Sequence, residues 1–379
     1  MLSYCEGNES YERKIEMNIE RQIEFDKVKE LWAELAMTDW AKEKIREAAI
    51  YLSETELKRK LKDTTDARFL IEKLGTPPLQ NMTELKEILL IAEKGDCLTP
   101  YQLERVEKVL VVIKRLKDYL TRGKMYQNSL AYYEENLDDI SELRQDICNK
   151  IRNGGVDDYA SKELEQIRKQ IIKCEEQMKQ KAEQILRSNK EYMADNYCTF
   201  RNGRICLPVK KDYKLKISGS VIDKSSTGST LFIEPAGVAK HYEELQLLRI
   251  SEQNEVYNIL YTLSVFVLAS APVLQADLEM VEKLDFIFSK GKLSVDMDGT
   301  EPAINTDRTI KLWEARHPLM DPTIAVPLQF EVGGATRGII ITGPNTGGKT
   351  VAIKTVMLNC IMAQCGLHVT CKKADICMS

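Results

Sequence analysis

Eight consecutive residues near the end of the sequence have the types and spacing that bind phosphate groups. They follow the apolar run 338–342, precede an amphipathic segment at 349–364, and read Gly343, Pro344, Asn345, Thr346, Gly347, Gly348, Lys349 and Thr350. Glycines let consecutive backbone N–H groups point at phosphate oxygens, and the start of a helix adds the positive end of its dipole. The lysine neutralises the β- and γ-phosphates, and the threonine hydroxyl ligates Mg²⁺. The pattern therefore predicts an ATP site with Mg²⁺ held by Thr350.

A second group of side chains could bind the backbone of a nucleic acid. Between residues 196 and 230, seven basic side chains stand against Asp212 and Asp223, in a chain whose net charge is −4. The Ser/Thr/Gly loop 225–229 adds hydroxyl and N–H donors. Such a local excess suits phosphate contacts that do not read bases, whereas a solvated basic face is the alternative. The candidates are Arg201, Arg204, Lys210, Lys211, Lys214, Lys216 and Lys224.

Cysteine and histidine spacing indicates no further chemistry. The late cysteines Cys360, Cys365, Cys371 and Cys377 lack the two-residue gaps of a zinc site, so we expect free thiols. The three histidines are dispersed, and we expect His317 to be structural. No catalytic residue is identifiable.

Hydropathy and charge indicate a chain without a membrane partner. The best apolar run is the short stretch 265–269, and the first residues carry no basic and apolar leader. A bilayer-spanning helix needs about 20 apolar residues, so we expect a cytoplasmic protein with reduced cysteines.

Helical periodicity covers most of the chain. Phe25, Val28, Leu31, Trp32 and Leu35 keep the three-and-four spacing of a buried stripe, and a similar stripe runs from Leu85 to Ala92. Two longer stripes, 137–151 and 164–185, flank Asn153-Gly154-Gly155 and predict an antiparallel helical hairpin. A long helix is expected from 238 to 269, ending at Ser270-Ala271-Pro272, with a second helix to 288.

Between these helical regions, the pattern changes to short extended runs. Residues 197–200 and 204–209 flank Asn202-Gly203, a strong hairpin signal, and a second strand pair at 218–222 and 230–233 follows. Later β-like runs at 310–313 and 337–342 lead into the phosphate loop.

Several motifs resemble one protein family. The loop sequence Gly-Pro-Asn-Thr-Gly-Gly-Lys-Thr is typical of MutS-type ATPases, and Ala315-Arg316-His317-Pro318-Leu319 lies where that family has its Arg-His-Pro element. The type-two bacterial branch, which lacks the mismatch-reading domains, is matched more closely, from about residue 24 onward. Its motifs here are Thr65-Asp66-Ala67-Arg68, 75–79, 201–204, 207–210 and 226–235.

The resemblance implies a multidomain, mainly α fold. Its parts would be a helical core domain (1–125), a clamp made of a helical hairpin and a small basic sheet (126–236), lever helices (237–291) and the first part of an α/β P-loop ATPase domain (292–379). Relatives form homodimers, and their clamp embraces nucleic acid. A segment that packs on the adenine reads 322–328 here, with Ile324 as a weak candidate.

Two functions remain open. The first is a DNA-binding ATPase that couples ATP binding to a nucleic-acid clamp, acting in repair or recombination on mismatched or branched DNA, or on stalled ribosomes and their rRNA. The second is a nucleic-acid-binding scaffold with a vestigial phosphate loop. Because the acidic strand and the later ATPase and nuclease segments of the family are not in this sequence, we expect an incomplete ATPase that hydrolyses ATP poorly.

Overall fold

The protein is described here by a computed structural model, which covers residues 20–343 and 348–378. Helices dominate and alternate with small sheets, in agreement with the predicted mainly α, multidomain class. The chain forms two compact units. The first contains residues 1–87, 108–140 and 270–379, and the second contains 88–107 and 141–269. The domain boundaries predicted after residues 125, 236 and 291 remain predictions.

The N-terminal helices are amphipathic, as their periodicity predicts. Phe25, Val28 and Trp32 are fully buried, while Leu31, predicted on the same stripe, is 41% exposed. Hydroxyl side chains begin two of these helices, because Thr38 and Ser53 accept hydrogen bonds from N–H groups three residues ahead. The helices are Phe25–Glu34, Asp39–Arg46, Glu54–Leu74, Thr83–Glu93 and Pro100–Gly123, followed by 3₁₀ turns Lys124–Tyr126 and Ser129–Asn136.

One helix, Ala236–Asp296, replaces the two helices predicted between 238 and 288. It passes through Pro272, where the sequence predicts an end. Proline removes only one helical N–H, and the buried side chains of Ala271 and Leu274 pack on both sides of it. Tertiary packing therefore overrides the local break.

The same helix corrects the hydropathy prediction. It contains an 18-residue window of mean hydropathy 1.8, so it is long and apolar enough by composition to cross a membrane. Its uninterrupted apolar runs are short because serine, threonine and tyrosine lie between them, but these residues add no charge. A buried core helix passes the same test, and Leu263 and Val267 on this helix are fully buried.

The second unit contains the predicted small sheet. Helix Ser141–Lys150 leads into the hairpin β1 (Ile151–Arg152) and β2 (Gly155–Val156), then helix Lys162–Ser188 and 3₁₀ turn Lys190–Tyr192. Strands β3 (Thr199–Arg201), β4 (Arg204–Lys210), β5 (Gly219–Lys224) and β6 (Thr230–Pro235) form an antiparallel sheet in the order β3-β4-β6-β5. A 3₁₀ turn, Lys211–Lys216, joins β4 to β5.

Turn chemistry sets the β3–β4 hairpin. Asn202 and Gly203 have φ angles of 50° and 75°, the left-handed values that an Asn-Gly hairpin turn requires. This confirms the hairpin predicted from the sequence.

Helix Lys162–Ser188 has a different partner from the one predicted. Its buried residues Cys174, Met178 and Ala182 pack with Val238 and Leu245 of the long helix. Arg168 and Glu175 also pair with Glu252 and Arg249 of that helix, each at 2.8 Å. The predicted hairpin with 137–151 is wrong in its partner, because the stripe faces the beginning of the long helix.

The first unit ends in a mixed sheet and the predicted phosphate-loop helix. Strands β7 (Ala303–Asn305), β8 (Ile310–Ala315), β9 (Leu328–Val332) and β10 (Lys373–Cys377) lie in the order β7-β10-β8-β9, with only the β7–β10 pair parallel. The helix has the predicted bounds, Lys349–Gln364.

The buried strand predicted immediately before the loop is not formed. Residues 338–342 are irregular, and Ile340 is 91% exposed. A parallel strand of this type is stable only when neighbouring strands and helices cover it, and no described strand pairs with it. Apolar composition alone is therefore insufficient to make it a strand.

Buried polar contacts join the N-terminal helices to the end of the long helix within the first unit. One carboxylate oxygen of Asp285 accepts hydrogen bonds from the N–H groups of Met37 and Thr38 and from the Thr38 hydroxyl, at 2.7–2.9 Å. The indole N–H of Trp32 donates to the Ser289 hydroxyl at 2.8 Å. These contacts fix how the helices pack around one core.

Gly291 marks the closest approach of two helices, and we predict that alanine there destabilises the protein. A Cβ at Gly291 would lie 2.8 Å from the Ala67 Cβ and the Arg68 nitrogen. Helix propensity favours alanine by about 1 kcal/mol, but backbone overlap costs more, so Gly291→Ala should lower the free energy of unfolding by about 1–3 kcal/mol. Urea unfolding would measure the change.

Gly237 of the same helix is the matched control. A Cβ there meets only the flexible Lys181 side chain, at 3.4 Å. Gly237→Ala should therefore be neutral or stabilising. Equal effects at the two positions would contradict the close packing at Gly291.

Candidate functional site

The start of helix Lys349–Gln364 has the features of an anion site. Gly348 precedes it with φ 78°, and among the described residues no side chain accepts a hydrogen bond from its first turn, which has no acidic residue. Its first N–H groups therefore have no side-chain partner within the described part of the chain, as at the helix starts that bind anions. Lys349 donates from Nζ to the Gly343 carbonyl at 2.6 Å, so its ammonium group lies between the two ends of the loop. Pro344, Asn345, Thr346 and Gly347 lie outside the described residues.

A cleft of about 530 Å³ opens beside this helix start, within the first unit. Thr350 and Val351 form one side, and helix Phe25–Glu34 contributes Leu31 to the other. Leu31 therefore lines a cleft rather than the core, which accounts for its exposure. Sequence analysis missed this cleft, because helical periodicity does not show which apolar residue lies at a gap between elements.

The Arg-His-Pro element forms part of the cleft wall. His317 is buried, and burial lowers the pKa of its imidazole. Its Nδ1 accepts a hydrogen bond from the Leu319 N–H at 3.3 Å, which leaves the ring proton on Nε2. Its position agrees with the structural role expected from the sequence, since the bond holds the turn that follows.

An ion pair links the opposite walls of the cleft. Glu24 accepts hydrogen bonds from Lys27 at 2.6 Å and from Lys354 at 2.9 Å, which lower its pKa to about 2. Glu24 also has a left-handed φ of 68°, so this acid is held in an unusual backbone conformation at the helix start. The pair joins the N-terminal helix to the phosphate-loop helix.

Ile324, the candidate for packing on the adenine, lies on an exposed turn. Its side chain is 67% exposed, and it does not line the cleft. Asp321 holds the turn by accepting bonds from the N–H and hydroxyl of Thr323, which lower the Asp321 pKa. Among the described residues, Ile324 is therefore not part of the cleft beside the start of helix Lys349–Gln364.

The Thr-Asp-Ala-Arg motif has a structural role that the sequence did not reveal. The Thr65 hydroxyl lies 2.8 Å from Nε2 of His368, and the Ser294 hydroxyl lies 2.7 Å from Nδ1 of the same ring. Arg68 donates to Ser294 and to the Gly299 carbonyl. The motif therefore attaches helix Glu54–Leu74 to the turns that follow the long helix and the phosphate-loop helix.

The late cysteines are packing residues. Cys365 and Cys371 are buried, and burial raises the pKa values of Cys360, Cys365 and Cys371 to about 12. At neutral pH these side chains are thiols, which are poor metal ligands.

One group of mixed ligand types comes together in the second unit. The side-chain ligand atoms of Cys174, His241 and Glu244 lie within 4.8 Å of one another. The Cys174 thiol, however, donates to the His241 carbonyl at 3.2 Å, and burial raises its pKa. We assign the group to helix packing.

Two of the predicted nucleic-acid contacts are occupied by protein partners. Arg204 pairs with Glu234, which is completely buried, and its guanidinium lies 4.5 Å from the Tyr242 ring centroid. Arg201 lies over the Phe232 ring at 4.5 Å and is 3.8 Å from Asp223. Both arginines have partners within the protein. Arg204 is the less available of the two for a ligand, because its partner Glu234 is buried.

The predicted lysines are more accessible. Lys210 is exposed and donates to the Glu191 carbonyl at 3.1 Å. Lys211, Lys214, Lys216 and Lys224 are exposed, and no ion pair involves them within the described part of the chain. We define these four as the lysine face.

Comparison with known proteins identifies relatives over most of this chain. It is 35% identical over 353 residues to endonuclease MutS2 of Clostridium botulinum (strain Eklund 17B / Type B), which is 92% of this chain and 45% of the relative. It is also similar to endonuclease MutS2 of Clostridium perfringens (strain 13 / Type A), at 35% identity over 92% of this chain and 44% of that protein. Endonuclease MutS2 of Ruminiclostridium cellulolyticum is 36% identical over 92% of this chain and 45% of its own length.

The chain thus spans about 45% of the length of these relatives. No family model matches it.

Because Arg204 neutralises a buried acid, we predict that Arg204→Met lowers stability. Glu234 would be left buried without its cationic partner, at a cost of roughly 2 kcal/mol in the free energy of unfolding. Urea unfolding of the full chain measures this. Lys224→Met, an exposed change in the same sheet, should stay within about 0.5 kcal/mol. A similar loss in both variants would contradict the structural role of Arg204.

His368 predicts a pH dependence of stability. Burial lowers its pKa from 6.5 to about 4, so the unfolded chain binds a proton at a higher pH than the folded chain. Stability should therefore fall as the pH decreases from 6.5 to about 4, with up to about 3 kcal/mol attributable to this ring. In His368→Gln that dependence should shrink. The free energy of unfolding, measured with urea at several pH values, tests this. If it changed with pH equally in His368→Gln and in the parent, the contribution of His368 would be refuted.

Proposed function

Because 92% of this chain aligns with endonuclease MutS2 at 35% identity, we propose that it is a member of the type-two branch of the MutS family, that it binds ATP with Mg²⁺, and that it couples this binding to a nucleic-acid clamp. The relatives are MutS proteins, which supports a DNA-related function at the coarse level. The proposal goes beyond this general function by naming an ATP site, a nucleic-acid clamp and a coupling between them.

The observation that carries the nucleotide site is the uncapped start of helix Lys349–Gln364. The helix begins after Gly348 without a side-chain cap among the described residues, and the Lys349 ammonium reaches back to the Gly343 carbonyl. A phosphate group is the natural partner of free helical N–H groups beside a cation. Residues 344–347 complete the phosphate-binding motif in the sequence.

The residues at the helix start fit Mg²⁺ as the accompanying ion. Thr350 is exposed beside the loop lysine and lines the cleft, so its hydroxyl is accessible as a single oxygen ligand. Mg²⁺ typically takes one or two protein ligands and completes its shell with phosphate oxygens and water, and when bound it neutralises phosphate charge. Thr350 would hold the ion, and Lys349 would orient the phosphates.

The lysine face supports contact with a nucleic-acid backbone. Lys211, Lys214 and Lys216 are exposed on one short turn, and Lys224 lies on the adjoining strand β5. Exposed cations without protein partners gain most from phosphate, because no ion pair must be broken first. DNA is the expected ligand from the family, with branched DNA and ribosomal RNA as substrates to be distinguished.

The proposed coupling between the nucleotide site and the clamp is inferred mainly from the family. Helix Ala236–Asp296 contributes residues to both units, and in MutS-type proteins a lever of this kind links the nucleotide state to the clamp. We also propose that the protein is cytoplasmic and forms a homodimer, as its family does. The endonuclease activity in the relatives' name is not part of the proposal, because the chain spans 45% of their length.

The scaffold alternative is favoured by the exposed run 338–342. In an active phosphate-loop domain this segment would be a covered strand, whereas Ile339, Ile340 and Ile341 are all exposed here. A chain in this state could bind nucleic acid while its loop plays no part. The experiment therefore has to measure nucleotide dependence directly.

The test measures binding of a branched DNA and of ribosomes to the full chain, at low and high salt, with and without ATP and Mg²⁺. We expect affinity to fall with salt, because bound phosphates release counterions, and to change about fivefold or more with ATP. Lys349→Ala should remove the ATP effect and leave the salt effect. Lys372→Ala, an exposed lysine paired with Glu314, is the matched control.

Two outcomes would contradict parts of the proposal. Affinity that falls with salt but ignores ATP would favour the scaffold. Affinity that ignores salt would refute the lysine face as a phosphate surface, whatever ATP does.

A further inference from the structure

A cleft of about 640 Å³ in the second unit combines aromatic and basic side chains. It lies between the end of helix Lys162–Ser188 and strand β3. Tyr197 and Phe200 line one side, and Lys179, Arg187 and Lys190 line the other. The volume is in the range of pockets that hold small organic ligands.

The aromatic rings are exposed where core packing would bury them. Tyr197 is 62% exposed and Phe200 is 64% exposed. Phe200 is opposite Ile205 in the β3–β4 pair, so both side chains share one face of the sheet. Ile205 is buried, and with Ala182 and Leu186 it forms an apolar floor. The cleft thus has exposed aromatic rings above a buried, apolar floor.

The charge around the cleft is positive. Lys179 and Lys190 are exposed, and within the described residues neither takes part in an ion pair. Arg187 lies 3.3 Å from Glu183, the one carboxylate lining the cleft, and both of these side chains are largely exposed. Such an exposed pair is weak, so Arg187 remains available to an anion.

The turn that carries three lysines of the lysine face packs against a turn that borders the cleft. Lys210 donates to the Glu191 carbonyl at 3.1 Å, and the Tyr192 and Tyr213 rings lie 5.0 Å apart. These two contacts hold the turn Lys211–Lys216 against the turn Lys190–Tyr192, which borders the cleft. The lysine face therefore lies next to the turn that carries Lys190 of the cleft.

We propose that this cleft binds an unpaired base of a single-stranded nucleic acid, with Tyr197 and Phe200 stacking on the base and the cleft lysines contacting flanking phosphates. The inference rests on the proposed function, and it adds a site selective for single strands. Base–aromatic stacking is tolerant of sequence, whereas a duplex keeps its bases stacked internally and cannot offer one. Stacking also does not distinguish DNA from RNA, so both are tested.

The experiment compares single-stranded DNA, single-stranded RNA and duplex DNA, each of about 12 nucleotides, binding to the full chain by fluorescence anisotropy. Phe200→Ala and Tyr197→Ala should each weaken single-strand binding about 10-fold, with duplex binding and the salt slope unchanged. Lys214→Ala should weaken both strand forms and lower the salt slope. Tyr159→Ala, which removes a 76% exposed ring outside the cleft, is the matched control.

The outcomes separate this inference from the proposed function. Selective loss with either single strand supports the base site, and the strand type affected identifies the ligand. Unchanged affinity in both aromatic variants, or equal losses on single strands and duplex, overturns it. If the unmodified chain binds none of the three oligonucleotides, the base site is refuted, whereas the proposed function is judged by binding of branched DNA and ribosomes. Because both rings are exposed, unfolding of each variant in urea should match the parent and exclude misfolding.

Discussion

The buried carboxylate of Asp285 is the constraint around which the first unit is arranged. An acid with no solvent access is costly unless hydrogen bonds compensate it, and here three donors from Met37 and Thr38 converge on one oxygen. The donors can reach it only if the turn before helix Asp39–Arg46 lies directly against the long helix. This geometry fixes the register between that turn and the long helix. It also fixes the position of Trp32, whose indole N–H donates to Ser289, one helical turn after Asp285. The phosphate-loop helix and strand β10 then pack on the same apolar core.

A second buried charge shows how tightly that core is built. The ammonium group of Lys290 is surrounded by the rings of Trp32, Tyr51 and Phe286, and it donates to the Cys365 carbonyl at 2.9 Å. Burial lowers the pKa of this group to about 7. Cys365 ends the phosphate-loop helix, so this contact ties the far end of that helix to the long helix. The site and the core are therefore one packed body within the first unit.

Sequence patterns predicted the structure correctly where the deciding interactions lie within a single element. The phosphate-loop helix has its predicted bounds and the Asn202-Gly203 hairpin forms, because turn chemistry and periodicity act within a few residues. The predictions failed where contacts with residues far away in the sequence determine the structure. Residues 338–342 have the composition of a strand but no described neighbour, and Pro272 is overridden by packing on both sides. Arg204 and Lys214 look equivalent in sequence, yet only Arg204 meets a buried acid, Glu234, thirty residues later.

The order in which the two units are encoded has a consequence for folding during synthesis. Residues 88–107 and 141–269 make up the second unit, so all of it is synthesised before residues 270–379 of the first unit. Phe25 and Trp32, by contrast, share their core with Met362 and Ile376. The apolar face of helix Phe25–Glu34 is therefore covered only after helix Lys349–Gln364 and strand β10 have been synthesised. Contacts of such long sequence separation form slowly, and the exposed early helices are the segment most in need of protection by chaperones.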